Sequence, residues 1–313
     1  MSRISVEFAG LQLKNPVLTA SGTFGFGLEF LDYGDLRELG GLVAKGLSLR
    51  PRGGNPSPRI CETACGMLNA IGIQNPGVEV FLRDYLPRLP WRETAVVANL
   101  YACTVEEFGE LAAILGVEDG VSALEVNVSC PNVAEGGAAF GQDPTVIRKV
   151  SESVKSRAGD KPVWVKLSPN VSDIVVCATA AAEGGADAVS LINTITGMAV
   201  DVRTRQPRLA NVVGGLSGPA IKPVALRMVH QVRQALPDLP VVGIGGIVSC
   251  EDVLEFILAG ASAVQVGTAN FMRPDASFLL ARGLEAEMDR LGVANLEELR
   301  GSLRLPAPKI SRL

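Results

Sequence analysis

The 313-residue sequence contains one histidine, no Cys-x-x-Cys pair and no apolar run of membrane-spanning length. Imidazole is the usual acid–base group near neutral pH, so among histidines only His230 is available for such chemistry. The six cysteines, at 61, 65, 103, 130, 177 and 250, are too sparse for a disulfide scaffold and read mostly as buried thiols. Cys61 and Cys65 lie four apart with no histidine nearby, so no metal site is expected. The longest apolar stretches, such as Ile174 to Ala182, break within about ten residues, against the roughly 20 that a membrane helix needs. No membrane span is therefore expected. The start, Met1 to Glu7, carries charge where a secretory signal would be apolar, which points to a cytoplasmic location. Net charge is −4 and the basic residues are scattered, so nucleic acid is not an expected partner.

With 47% hydrophobic and 20% charged residues the chain can bury a large core. Its length suits one α/β barrel of about 250 residues plus insertions, and a single domain over residues 1–313 is expected. Eight short, β-branched runs are each followed by polar or glycine-rich segments and then helical spacing: Pro16 to Ala20, Leu42 to Lys45, Ala95 to Leu100, Ala123 to Val128, Val163 to Leu167, Ala188 to Asn193, Val241 to Gly245 and Ala263 to Gly267. Runs without strict alternation suit strands buried on both faces, as parallel sheets require. Thr104 to Glu107 and Ser249 to Asp252 look like capped helix starts with acids in the first turn. The pattern predicts a (β/α)₈ TIM barrel. Ile4 to Phe8 and Gln12 to Lys14, around Ala9-Gly10, predict an N-terminal β-hairpin closing the bottom of the barrel. The rival, an open doubly wound sheet, lacks its signature: Ala20 to Gly27 is glycine-rich but has neither the spacing nor the downstream acid of a dinucleotide fingerprint.

Active sites of such barrels sit at the C-terminal strand ends, and here those ends are polar. They carry Ser21, Lys45, Asn99, Asn127 with Cys130, Lys166 with Ser168, Asn193 with Thr194, Gly245-Gly246 and Gly267-Thr268. The last two pairs resemble phosphate-gripping loops whose backbone N–H groups hold an anion; as plain tight turns they would need no ligand. A phosphate site, Lys166 at a strand end and small residues after the first strand together suit a flavin, FMN rather than NAD, since a cation near the ring N1 stabilises its reduced anion. His230 falls in the helical stretch Pro223 to Ala235, far from these ends, which leaves a cysteine as candidate base. Alone, Cys130 reads more readily as an inert thiol. Its neighbours Asn127 and Asn132 favour a pocket for imide-like donors and acceptors, where a thiol of lowered pKa acts as a base.

The segments Asn127 to Asn132, Gly66 to Gly77, Val165 to Asn170, Asn193-Thr194 and Gly214 to Pro223 resemble the class I dihydroorotate dehydrogenases, over about Asn15 to Phe271. Within that family the likeness is to the FMN-containing catalytic subunits of the NAD-linked subclass, class 1B, rather than to the fumarate-linked class 1A. The resemblance implies flavin contacts at Ser21, Lys45, Gly46, Asn99, Asn127, Lys166, Ile192, Gly218, Gly245, Gly246, Gly267 and Thr268. It implies orotate contacts at Lys45, Asn69, Ala70, Ile71, Gly72, Ile73, Asn127, Asn132, Asn193 and Thr194, with Cys130 as base. It further implies oxidation of dihydroorotate to orotate in pyrimidine biosynthesis, with Pro131 to Gly141 as a lid over the base. The chain has no four-cysteine iron–sulfur motif. The resemblance accordingly implies an electron-transfer subunit carrying FAD and a [2Fe–2S] cluster, and a homodimer of this chain within a heterotetramer.

Leu100 to Cys103 departs from the small, glycine-containing turn of relatives. A class 1A-like enzyme using fumarate, an oxidoreductase of uracil-type rings and a non-catalytic sensor of a phosphorylated metabolite remain as alternative readings. The connection from Gly197 to Gly218 reads as a solvated loop, a dimer contact or a partner-docking patch.

Overall fold

A computed structural model describes residues 2–128 and 140–306 of the chain. The chain opens with a hairpin, β1 (Val6–Phe8) and β2 (Leu11–Leu13), paired antiparallel. Its two-residue turn, Ala9-Gly10, has φ of 47° and 81°, the doubly positive geometry that matches the twist of a tight hairpin. Next come β3 (Val17–Thr19) and β4 (Gly41–Val43), then a second hairpin, β5 (Ile60–Thr63) and β6 (Gly66–Asn69), and a one-turn helix α1 (Val78–Val80). Regular alternation follows: β7 (Ala95–Leu100), α2 (Val105–Gly116), β8 (Ala123–Asn127), α3 (Pro144–Lys155), β9 (Val163–Lys166), α4 (Ile174–Glu183) and β10 (Ala188–Leu191). An excursion through β11 (Ile195–Met198), β12 (Val200–Asp201), β13 (Gln206–Pro207) and β14 (Val213–Ser217) leads to α5 (Lys222–Ala235). The chain then runs through β15 (Val241–Ile244), α6 (Cys250–Ala259), β16 (Ala263–Val266), α7 (Ala269–Met272), α8 (Ala276–Leu291) and α9 (Leu296–Leu299).

Eight strands close a parallel barrel in the order β3-β4-β7-β8-β9-β10-β15-β16, with β16 paired back to β3. They coincide with the eight expected runs to within two residues at each end. Two expectations are corrected. The first strand is not followed by a regular helix: 3₁₀ turns at Leu28–Phe30 and Leu36–Glu38 cross from β3 to β4, whereas after β4 the β5–β6 hairpin precedes a helical stretch that runs from α1 through a π-turn at Phe81–Tyr85 to a 3₁₀ turn at Leu86–Arg88. The 197–218 connection is not a plain loop either. Its β11 and β14 join β6 and β5 in an antiparallel sheet of order β11-β14-β6-β5. Glycine lets these strands approach, since a Cβ on Gly66 would collide with the Ser217 carbonyl.

Side-chain alternation with a period of two divides every barrel strand. Leu42, Val96, Leu124, Val163, Val189, Val241 and Val264 face outward and join the core shared with the helices. Leu18, Val43, Val97, Ala123, Trp164, Ala188, Val242 and Ala263 face inward and pack with Phe8 and Leu13 of the hairpin. The hairpin is thus the floor of the barrel, as the sequence predicts. Phe8 meets Trp164 edge-on with ring centroids 4.8 Å apart, and both are fully buried.

Removing the Phe8 ring leaves a cavity that the closed barrel cannot collapse into. Phe8→Ala should lower stability by about 3–5 kcal/mol in urea unfolding, while Ala at the exposed neighbour Glu7 should change it by no more than about 0.5 kcal/mol.

Candidate functional site

Two residues beyond the apolar inward layer, the same strand faces present Ala20, Lys45, Asn99, Glu125, Lys166, Ser190, Ile244 and Gln265. The floor is apolar and the next layer up is polar because successive inward positions on one strand are two residues apart. Above this layer opens a cavity of about 1430 Å³, roofed by the β5–β6 and β11–β14 strands. Every described site residue expected from the sequence lines it. From the barrel strands and the loops after them these are Ser21, Lys45, Gly46, Asn99, Asn127, Lys166, Ile192, Asn193, Thr194, Gly245, Gly246, Gly267 and Thr268. From the roofing sheet they are Asn69, Ala70, Ile71, Gly72, Ile73 and Gly218. Cys130, Asn132 and all of the expected lid up to residue 139 lie outside the described residues.

At one end the backbone forms a cradle. Gly218, Gly245 and Gly246 have φ of 95°, 138° and 69°, accessible to glycine at little cost, and a Cβ on Gly246 would sit 2.9 Å from the Gly218 carbonyl oxygen. The Thr268 hydroxyl donates to Ser217 Oγ at 2.7 Å, tying the loop after β16 to the end of β14. Lys222 does not serve this cradle as a cation, because its ammonium is held by Asp252 at 2.5 Å and Glu255 at 2.8 Å. Backbone N–H groups and hydroxyls are therefore the donors there, a set suited to phosphate. Asp252 secures the loop through a capping box with Ser249 and accepts from the Val248 and Ser249 N–H groups. Burial alone would raise its carboxyl pKa, but Lys222 and these donors outweigh burial and hold it below the usual carboxylate range.

The other end is lined with amides. Asn193 Nδ2 donates to Asn127 Oδ1 at 3.2 Å, and Asn193 Oδ1 accepts from the Thr194 N–H at 2.9 Å. Asn69 donates to the Gly215 carbonyl across the β6–β14 pair at 3.3 Å. Burial pushes the Lys45 ammonium below the usual lysine range, the nearby Arg59 charge adds to this, and Glu29 opposes both. In the cavity floor Asn99 donates to Glu125 at 2.7 Å, which leaves its Oδ1 buried without a hydrogen-bond partner. Gly46 lies beside that oxygen, where a Cβ would approach to 3.1 Å. A flat ring joined to a phosphate fits the chemistry of this lining, which combines a bare backbone at Gly46 beside the unpartnered Asn99 oxygen with a glycine cradle at the far end.

Sequence reasoning missed three contributors. Asn55 and Arg59 clamp the Ala70–Ile71 backbone, through Asn55 N–H to the Ile71 carbonyl at 3.0 Å and Ala70 N–H to the Arg59 carbonyl at 2.8 Å. Nothing local marks them, because they meet that segment only across the β5–β6 hairpin. Glu125 did carry a signal, an acid inside an otherwise apolar strand. His230 sits half-buried in α5 and lines a separate depression with Ser172 and Arg227, away from the cavity. The departing turn, Leu100 to Cys103, is not part of the cavity lining. Tyr101 is buried there beneath the Arg52 guanidinium, 4.9 Å from its ring centroid. Among the described residues no side-chain cluster suits a metal ion and no helix is long and apolar enough to cross a membrane.

The family model described as dihydroorotate dehydrogenase matches residues 3–288. The chain belongs to the dihydroorotate dehydrogenase family. It is 69% identical over 301 residues to a Solidesulfovibrio magneticus protein named dihydroorotate dehydrogenase B (NAD(+)), catalytic subunit, covering 96% of this chain and 98% of that protein. Proteins of the same name from Maridesulfovibrio salexigens and Geotalea daltonii are 65% and 56% identical, over 97% and 96% of this chain and 99% and 98% of their own lengths. Among dihydroorotate dehydrogenases, then, the chain resembles proteins named as NAD-linked catalytic subunits.

Asp252→Asn should reduce stability by about 1.5–3 kcal/mol at pH 7, the range for hydrogen bonds to a charged group. Because the native carboxyl pKa is depressed, the stabilisation is fully present above the unfolded value of about 3.9 and is lost as pH falls through the lower native one. Urea midpoints of the two proteins should differ by a constant amount from pH 8 to 5 and converge in acid.

Proposed function

We propose that this chain is the catalytic subunit of an NAD-linked dihydroorotate dehydrogenase, oxidising dihydroorotate to orotate in pyrimidine biosynthesis with FMN held in the barrel-mouth cavity. The observation that carries this reading is the convergence of a glycine cradle, an unpartnered buried Asn99 acceptor, Lys45 and a group of asparagines on one cavity of a family member.

FMN, when bound, would supply the hydride acceptor for C6 of the substrate. Gly218, Gly245, Gly246, Gly267 and Thr268 hold its phosphate, while Ser21, Gly46, Asn99, Asn127, Lys166 and Ile192 hold the remainder of the cofactor. The partly buried Lys45 ammonium pairs with the substrate carboxylate, and such a pair is less screened there than in bulk solvent. Asn69, Asn127, Asn132, Asn193 and Thr194 bind the ring's imide and amide groups, with the Ala70 to Ile73 backbone closing over it. Alignment of C5 and C6 by these contacts removes the orientational part of the barrier. The Cys130 thiolate takes the C5 proton, so loss of a proton and a hydride creates the C5=C6 double bond. Electrons leave through a partner subunit carrying FAD and a [2Fe–2S] cluster and reach NAD. The chain works in the cytoplasm, paired with a second copy inside a heterotetramer.

The purified chain should be yellow, and dihydroorotate should bleach it within a turnover time while dihydrouracil should not. The reverse preference would move the assignment to a uracil-type enzyme, and a colourless protein would remove the flavin altogether. Cys130→Ala should keep its flavin yet slow bleaching at neutral pH by at least about 10²-fold, the usual contribution of a positioned base. Mixing with the electron-transfer subunit should accelerate NAD reduction; equal rates for the isolated chain would count against the partner.

A further inference from the structure

Glu125 lies at the centre of the barrel, fully buried, and takes partners from four other strands. Its Oε1 accepts from Asn99 Nδ2 of β7 at 2.7 Å and lies 3.7 Å from Lys166 Nζ of β9. Its Oε2 accepts from Ser190 Oγ of β10 at 2.9 Å and from Gln265 Nε2 of β16. Amide nitrogens and an ammonium only donate, so the geometry is that of a carboxylate, an acceptor at both oxygens. A buried anion without such partners would be very costly.

Two of these partners also face the ligand cavity, whereas Glu125 itself does not line it. Asn99 has its donor committed to Glu125, and its Oδ1 is thereby fixed as an acceptor in the cavity floor. Lys166, 5% exposed, is the charged group of the pair that reaches the cavity. With FMN held in this cavity, as proposed above, Lys166 would be a cation facing it whose field is partly cancelled by the carboxylate beneath. Inside the barrel such a cancellation is screened less than it would be in water and acts over several ångströms.

We infer that Glu125 is a positioning residue of the redox site. It acts on the bound ring through Lys166 and Asn99, fixing both side chains and setting the ring's potential lower than the lysine alone would. The inference rests on the FMN reading.

The test equilibrates flavin-loaded protein with a reference dye at fixed pH and reads the reduced-to-oxidised flavin ratio, which requires no substrate and no turnover. In Glu125→Gln the Lys166 charge is no longer opposed by Glu125 and favours the electron-rich reduced ring, and the ratio should rise by on the order of tenfold, equivalent to about 30 mV for a two-electron couple. Lys166→Met should lower the ratio by a similar factor, and the double variant should return to within about threefold of wild type. A merely structural role would not give opposite signs that cancel. Glu125→Asp keeps the charge but withdraws it from Asn99; its FMN affinity should fall by about tenfold while its ratio stays near that of wild type, a readout that survives if the glutamine variant does not fold. An unchanged or lowered ratio in a loaded glutamine variant, or wild-type FMN affinity in the aspartate variant, overturns the role of Glu125. A wild-type protein without flavin overturns the FMN reading and this inference with it.

Discussion

In a closed parallel barrel every strand has one side toward the axis and one toward the helices, and a shift of one residue would exchange them. The position of Trp164 on β9 illustrates what depends on that parity. Its indole packs on Phe8 in the floor, and the next inward position on the strand is then Lys166. The same step of two carries Val97 to Asn99, Ala123 to Glu125 and Val43 to Lys45. A strand out of register by one residue would turn Lys45, Asn99, Glu125 and Lys166 into the helix-packing layer, where charged and amide groups have no partners. The apolar floor and the polar site above it are consequences of a single constraint.

The polar layer must also meet its own hydrogen-bonding needs before it can bind anything. Glu125 accepts from the donors of Asn99, Ser190 and Gln265 and provides a counter-charge for Lys166. The network spans the barrel from β7 to β16, so no single strand could assemble it. At the opposite rim Asp252 has the corresponding task, neutralising Lys222 and capping α6 so that the adjacent Gly245-Gly246 loop presents backbone donors. Both carboxylates hold groups that line the cavity, Asn99 and Val248 among them, and neither lines it itself.

The eight strands, their parallel order and the hairpin floor were all legible in the sequence, since each is written in a local pattern of apolar runs and turn residues. So was most of the candidate site, because a barrel's chemistry collects at strand ends and those ends are consecutive with the strands. The antiparallel roof was not legible. β11 and β14 meet β6 and β5 only after more than a hundred intervening residues, and the glycine-rich stretch from Gly214 to Gly218 reads locally as a turn. The lack of a regular helix after the first strand went unrecognised for a similar reason: 3₁₀ turns and aromatic packing such as Phe24 on Phe30 cover that side of the barrel without helical periodicity.

By itself, then, the sequence determined the barrel, the side chains at its mouth and the family, because these follow from local periodicity and from motifs a few residues long. Tertiary structure alone decided which of those side chains share a cavity, that Lys222 is consumed by Asp252 and Glu255, and that Lys166 stands over Glu125. Those outcomes depend on distances between strands that closure of the barrel sets, and charge pairing acts over a few ångströms of space irrespective of separation along the chain.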